Sequence, residues 1–356
     1  MKPLFSELSH FSLALALALV PLSVSAQTDD ALARCLELGG IPDAGVPVTP
    51  EAQEATLAAA RAALPFCADA VAAGSQDAAA LFHLGVGLQL SGDHEAAIAQ
   101  FEAASAAGSG AADTKLGDYN LFGIGPVRTD LDAAVEHYRR GIERGDLAAM
   151  TTLGFLYRLG RGVPRDSGEM IRLMTEAAEG GYHFAQLRLG QTYLTGDGIP
   201  GGADADLNIP DTETAARYFS MAAEQGSLVA TLELAKIYSE ADGPGAGDAD
   251  LQLRWTQTAA DAGLAEAVGA LGFLFERGRG VEADPDRAAE LYVQALETGE
   301  VDLDDLRGEV GGSVPPWDRA TAMAFQVILQ ERGLYGGPID GIIGRGSRAG
   351  AAALGN

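Results

Sequence analysis

The chain is 356 residues long, rich in alanine, leucine and glycine, with a formal net charge of −26 and only three lysines, Lys2, Lys115 and Lys236. A polyanion of this strength repels nucleic acid and anionic lipid surfaces, so neither is expected as a partner. The length supports a large core, and sparse β-branched and aromatic residues with prolines between apolar runs favour helices with short breaks.

Residues 1–26 read as a secretory signal peptide. Lys2 supplies a weak positive start, residues 11–20 form an uncharged, largely apolar run, and Val24-Ser25-Ala26 fits the small-residue cleavage rule. The run falls short of the ~20 apolar residues of a membrane span. No later stretch reads as a span, so the mature chain is expected to begin near Gln27 in a periplasm or comparable envelope compartment. Glu7 and the single lysine leave an uncleaved anchor open as an alternative.

Residues 27–77 form an N-terminal segment. A short helix is expected over residues 30–38, then a loop broken by Gly39-Gly40, Pro42, Gly45, Pro47 and Pro50. Pro50 opens an alanine-rich helix to about Ala73, with an interruption or kink at Pro65. Cys35 and Cys67 are the only cysteines, and an even pair in an exported chain is most simply a disulfide.

From Ala78 the chain is periodic. Gly108, Gly145, Gly181, Gly226, Gly263 and Gly299 each close a helix, at steps of 37, 36, 45, 37 and 36 residues. Gly123, Gly160, Gly196 and Gly278 mark the turns inside the units and keep the same spacing. The first helix of each unit carries a small residue after a leucine: Gly85, Gly117, Gly154, Gly190, Ala235 and Gly272. An interior glycine costs up to ~1 kcal/mol against alanine, so its recurrence predicts close approach of a neighbouring helix. Three residues on stands Leu88, Tyr157, Tyr193, Tyr238 or Phe275, with Asn120 the exception. Second helices carry bulky pairs, His137-Tyr138, Tyr218-Phe219 and Leu291-Tyr292, with Trp255 at the first such position of its unit.

The pattern Leu-Gly-x-x-Tyr-x-x-Gly-x-Gly-Val, then Asp, then Ala-x-x-x-Tyr and a closing glycine resembles the Sel1-like repeat, a relative of the tetratricopeptide repeat. Residues 149–181 and 265–299 match it most cleanly, and residues 111–145 fit with Asn120 in place of the aromatic. Residues 79–108 look more like a plain tetratricopeptide unit, and residues 229–263 are degenerate. The resemblance covers residues 78–299. It implies an all-α fold, a right-handed α-solenoid of Sel1/TPR-like helix pairs with a concave face for a protein partner. Nine extra residues in the fourth unit fall between Gly198 and Thr214, lengthening one inter-helix turn.

Residues 300–316, acidic and then rich in glycine and proline, read as a linker. Residues 317–356 form a second module: an amphipathic helix stopped at Gly333, a glycine-rich turn over residues 337–344, and a last helix opened by Ser347-Arg348-Ala349. Phe325-Gln326, Gly333-Leu334-Tyr335, Ile339-Asp340-Gly341, Gly344 and Ser347 resemble the small helical peptidoglycan-binding domain of cell-wall proteins. Serine replaces the usual threonine, and the common closing Phe-Gln is missing. The resemblance implies peptidoglycan as a partner and makes Tyr335, Ile339, Asp340, Arg345 and Arg348 the candidate contacts. Arg319, Arg332, Arg345 and Arg348 against Asp318, Glu331 and Asp340 leave the module at +1 in an acidic chain. Asp340 has a plainer role as well, capping backbone N–H groups of the turn.

Other chemistry reads as structure. The Gly-x-Gly turns follow helices at the repeat period and lack the preceding strand of a phosphate loop. Asp204-x-Asp206-x-Asn208 opens like a calcium loop, but Ile209 stands at the sixth position and Ala215 at the twelfth, so a solvated loop is expected. His83, His94, His137 and His183 do not cluster in sequence, and His137 falls at the aromatic core position of its unit. No catalytic, cofactor-binding or metal-binding set is assigned. The chain is expected to be a non-enzymatic exported scaffold. The alternatives are an accessory, regulator or unrecognised enzyme of wall remodelling, or a secreted effector.

Overall fold

A computed structural model describes residues 22–39, 50–196, 210–239, 248–307 and 314–355. The apolar run of the expected signal peptide, the Asp204-x-Asp206-x-Asn208 stretch and residues 308–313 of the expected linker lie outside them. The described residues form 16 α-helices and one 3-10 turn, with no strand.

Helices α1 (Leu22–Gly39) and α2 (Pro50–Ala72) pack against each other and onto α3 (Ala78–Leu90). Helix α1 starts earlier than the sequence suggests and runs through Val24-Ser25-Ala26. A disulfide joins Cys35 to Cys67 with the Cα atoms 4.7 Å apart, and both cysteines are closed off from solvent beside Ala63, Ala80 and Leu84. Helix α2 is unbroken at Pro65. Both Pro65 and Arg61, one turn earlier, are exposed, so the carbonyl left without a donor can be hydrated. By length and composition alone, Ala52–Ala72 is apolar enough to cross a membrane, which the sequence reading passes over. In the fold it carries the disulfide and packs through Ala60, Ala63 and Ala70.

Six helix pairs follow: α3 with α4 (His94–Ala106), α5 (Gly110–Phe122) with α6 (Leu131–Glu143), and α7 (Leu147–Leu159) with α8 (Ser167–Glu179). Then come α9 (His183–Thr195) with α10 (Thr212–Glu224), α11 (Leu228–Ser239) with α12 (Ala249–Asp261), and α13 (Ala265–Arg277) with α14 (Pro285–Glu297). Each helix packs on the next in the chain, as in a solenoid. Asp77, Asp93, Asp130, Asp146, Asp166, Asp211, Asp248 and Asp284 each accept a backbone N–H at the start of one of these helices. A cap of this kind stabilises a helix by about 1 kcal/mol.

The recurring small residue is a seat for the second helix of its own unit. A Cβ on Gly85 would lie 2.6 Å from the Phe101 ring, on Gly117 2.7 Å from Tyr138, on Gly190 2.6 Å from Phe219, and on Gly272 2.9 Å from Tyr292. These four rings are fully buried. In the third unit Met174 takes the place of the ring, 3.1 Å from the corresponding point on Gly154. The core ring of the second unit is therefore Tyr138, not its neighbour His137.

The Gly-x-Gly turns join one unit to the one before. Gly123, Gly160 and Gly278 end their helices at φ 64°, 65° and 64°. The second glycine of each turn is also left-handed and lies against the first residue of the preceding unit's second helix: Gly125 on His94, Gly162 on Leu131, Gly280 on Ala249.

The C-terminal module is docked, not hung on a free linker. Leu303, Leu306 and Arg307, in the 3-10 turn region Asp305–Arg307 and just before it, are buried. Helix α15 (Arg319–Glu331) lies on α14, and Phe325, Leu329 and Ala351 of α16 (Arg345–Ala352) join one core with Tyr292 and Leu296. Trp317 meets Tyr292 edge-on at 5.0 Å and Phe325 at 5.3 Å. Burying a side chain such as Phe325 or Leu329 contributes roughly 1.5–3 kcal/mol each, so the module closes the apolar end of the stack.

Candidate binding surfaces

The first helices of the units form one face. Two grooves open on it. The smaller, about 210 Å³, lies between α7 and α9 and is lined by Phe155, Arg158, Arg188, Gln191, Thr192 and Thr195. The larger, about 660 Å³, lies between α11, α13 and the 3-10 turn, with Leu232, Ala270 and Phe273 on its apolar walls and Lys236 and Glu266 among its charges. Phe122 and Leu159, at the last position of α5 and α7, are 64% and 61% exposed on the same ends of their units. Tyr157, Tyr193 and Tyr238 are half-buried against the core, Tyr193 stacking on Tyr218 at 5.8 Å, and Trp255 is buried.

Among the described residues, three clusters of buried carboxylates tie helices together. The Asp113 carboxylate, closed off from water, accepts from Ser105 Oγ at 2.8 Å, Arg140 Nε at 3.2 Å and the Arg144 guanidinium. Arg140 Nη2 donates to His137 Nδ1 at 2.6 Å, which requires that nitrogen to be unprotonated. Burial, and then the Arg140 charge, hold the imidazole below its ordinary value. Tyr138 donates to Asp118 at 2.8 Å. Burial pushes the Asp118 carboxyl up, with Lys115 opposing, and burial and Asp118 push the Tyr138 phenol up. Glu276 accepts from Tyr292 Oη at 2.7 Å, from the Asp318 backbone N–H at 2.9 Å and from Arg307. Burial pushes the Tyr292 phenol up, helped by that carboxylate. Among the described residues, no three His, Cys, Asp or Glu side chains gather as a metal-ligand set.

The terminal module has a cleft of about 530 Å³ lined by Tyr335, Asp340, Ile342 and Ser347 with the backbone of Gly336, Gly337, Gly344 and Gly346. Gln326, fully buried, organises it. Its Oε1 accepts from the backbone N–H of Asp340 at 3.0 Å and Gly341 at 2.9 Å, and its Nε2 donates to Asp340 Oδ1 and the Ile342 carbonyl, both at 3.0 Å. Asp340 Oδ1 also accepts from the Ile342 N–H at 2.9 Å, which is the turn-capping role. The Gln326 amide, then the Ile342 N–H, hold the Asp340 carboxyl below its ordinary value. Tyr335 Oη donates to the Pro338 carbonyl at 2.9 Å.

Of the five candidate contacts, the structure brings Tyr335 and Asp340 together in the cleft. Ile339 and Arg345 do not line it. Arg348 lies in a separate groove beside α14, paired with Asp304 at 2.7 Å, and Arg332 pairs with Glu297. Two of the module's four arginines are thus engaged in docking, which the bare charge of the segment does not reveal. Ile342, 67% exposed on the rim of the cleft, is the residue that sequence reasoning missed. An isoleucine inside a glycine-rich turn is its only signal.

Comparison with protein families matches four segments, residues 110–146, 147–182, 183–227 and 265–299, to the Sel1 repeat. Among curated proteins, the chain is 29% identical over 210 residues to the chitin synthase regulator SKT5 of Saccharomyces cerevisiae, covering 56% of this chain and 29% of that protein. It is 32% identical over 139 residues to chitin synthase regulatory factor 3 of Schizosaccharomyces pombe, covering 39% of this chain and 14% of that protein. The chain therefore spans less than a third of the length of either. Among solved structures, it resembles a protective antigen of uropathogenic Escherichia coli displaying an SLR fold, with TM-score 0.51 and 22% identity over 86% of this chain and 57% of that one. It also resembles a Sel1 repeat protein from Oxalobacter formigenes, with TM-score 0.50 and 25% identity over 67% and 88%. Four segments of the chain thus match the Sel1 repeat, and its fold is an all-α solenoid of helix pairs.

Proposed function

We propose that this protein is an exported, non-enzymatic adaptor that holds a protein partner on the first-helix face and associates with peptidoglycan through its terminal module. The observation that carries the reading is the first-helix face itself. It combines two grooves with exposed Phe122 and Leu159 in equivalent positions, whereas the rings of the second helices are turned into the core. Repeat proteins use such an extended face for recognition. The names of the two fungal relatives favour one kind of partner, an enzyme that makes or remodels an envelope polymer.

A photo-crosslinking residue at Phe122 or Leu159 is expected to trap a discrete partner in cells. The same residue at exposed Arg172 on α8 is expected to trap none. Equal trapping at all three positions, or none at any, removes the partner-binding claim.

The peptidoglycan half rests on the cleft around Tyr335, Asp340 and Ile342 and on the resemblance of its turn. Because the module shares a core with α14, deleting it would expose that core, so point variants are the cleaner test. Purified murein is expected to retain the full chain and to lose most of an Ile342→Glu or Tyr335→Ala variant of unchanged melting temperature. Retention of both variants overturns the assignment. Export is checked by fractionation and by a mature N-terminus near Gln27; protein left in the cytosol with residues 1–26 attached overturns it.

A further inference from the structure

The larger groove, between α11, α13 and the 3-10 turn, holds an acceptor with nothing to accept. Gln252 of α12 lines it and is only 6% exposed, and its Oε1, closed off from water, has no hydrogen-bond partner. The other two buried glutamines among the described residues are satisfied. Gln186 donates to the Ala178 carbonyl at 3.0 Å and accepts from Gln225 at 2.7 Å, and Gln326 holds the terminal turn. A buried amide oxygen without a donor is costly, so one that lines a groove points to a donor arriving with a ligand. A glutamine end has two settings about its last bond, so this oxygen can turn toward the groove with no bond of its own to break.

The surrounding charge decides which donor. Lys236 is paired with Glu233 at 3.7 Å, Arg307 with Glu276 and Asp304 with Arg348. Asp305 accepts the Asp302 backbone N–H at 3.0 Å and makes no ion pair. Glu266 and Glu300 also make none among the described residues, and of the lining cations Arg279 alone makes none. Residues 240–247 and 308–313, which follow the lining residues Ser239 and Arg307, lie outside the described residues. In sequence they carry Glu240, Asp242 and Glu309 and no lysine or arginine. The local excess is therefore acidic whether or not they are counted, in a chain of net charge −26. A cationic donor makes a stronger bond to an amide oxygen than a neutral one does.

We propose that this groove takes a basic segment of the partner. An arginine or lysine side chain donates to Gln252 Oε1 among the Glu266 and Glu300 carboxylates, and a neighbouring apolar side chain lies on Leu232 and Ala270. The proposal rests on the first-helix face being the partner surface and names the chemistry of what it receives. The acidic field of the whole chain hastens the approach of such a segment, and the buried acceptor fixes where it stops.

The test uses the full chain and two fluorescent, end-capped hexapeptides, alternating Arg-Leu and alternating Glu-Leu, followed by anisotropy at low and at physiological salt. The basic peptide is expected to bind, to be displaced by its unlabelled form and to weaken as salt rises. Gln252→Leu, which removes the acceptor and breaks no existing bond to it, is expected to weaken binding at least fivefold, and Glu266→Gln several-fold. Glu224→Gln removes an exposed carboxylate from α10 and is expected to leave affinity unchanged. Ala270→Arg places a cation at an exposed position of the groove and is expected to weaken binding at least tenfold, even if Gln252→Leu does not fold. No binding of the basic peptide, equal binding of the two peptides, or equal weakening by Glu224→Gln and Glu266→Gln overturns the proposal. Unchanged affinity in a folded Gln252→Leu or Ala270→Arg variant does the same. Failure here with successful trapping at Phe122 or Leu159 sinks the basic class alone; failure of both sinks the partner surface.

Discussion

Arg307 donates to both oxygens of Glu276, Nη2 to Oε1 at 2.7 Å and Nε to Oε2 at 3.2 Å, with both side chains closed off from water. Three parts of the chain meet at this pair. Glu276 belongs to the last repeat, Arg307 to the 3-10 turn, and the same guanidinium donates to the Pro315 carbonyl at 2.5 Å and the Pro316 carbonyl at 2.9 Å at the entry to the module. It also lies over Trp317 at 5.0 Å and Phe273 at 5.4 Å. Desolvating two charges is costly, and the many hydrogen bonds around them offset that cost only while both partners are present.

Glu276→Gln or Arg307→Met is therefore expected to lower stability by about 3–5 kcal/mol in urea unfolding, because each leaves a buried charge unpaired. The double variant is expected to cost clearly less than the sum of the two. Additive losses would mean that the pair is not the coupling element between repeats and module.

The glycine seats make a graded prediction. Gly190→Ala puts a methyl 2.6 Å from a fully buried ring and is expected to cost about 1–3 kcal/mol. Gly154→Ala meets the flexible Met174 at 3.1 Å and gains helix propensity, so its effect is expected to be within about 1 kcal/mol. Phe219→Leu added to Gly190→Ala is expected to recover part of the loss, and denaturation midpoints of the three variants decide it.

Reducing the Cys35–Cys67 bond opens a loop spanning a sequence separation of 32. The chain-entropy treatment puts its contribution at about 3–4 kcal/mol. The expected outcome is local. Hydrogen exchange should show α1 losing protection under reductant while α5 to α14 keep theirs.

His137 should tie stability to pH. Its folded value is held below 6.5 by burial and Arg140, so the unfolded chain takes up the proton first as pH falls. Stability from this group is complete above the unfolded value and declines as pH drops through 6.5 toward the folded one. Urea midpoints at pH 7.5 and 5.5 should differ less in His137→Gln than in the unmodified chain; an equal difference would assign the slope to other groups.

How much of this was legible beforehand follows from what each feature needs. The helix pairs, the glycine seats and the disulfide are written in spacing, because period and packing partner lie within one unit. The Asp340 cap was legible for the same reason, being closed by Ile342 two residues on and Gln326 in the preceding helix. What stayed hidden depends on distant parts of the chain meeting. Arg348 reads as a free cation until Asp304 is beside it, residues 303–307 read as linker until they are buried, and Arg188 reads as an ordinary surface residue until Phe155 is brought over it. Pro65 misled in part, since an interruption is one outcome expected from the residue alone, whereas the helix runs through it with the exposed Arg61 position open to water.

The aspartate caps have a consequence for the whole molecule. Eight of the twelve helices α3 to α14 begin on one, so part of the acidity marks helix starts and not a surface tuned for a ligand. Isoelectric point then tracks contour length. A version of this chain lengthened by one pair would gain up to two carboxylates with no change of function, and a shortened one would lose them.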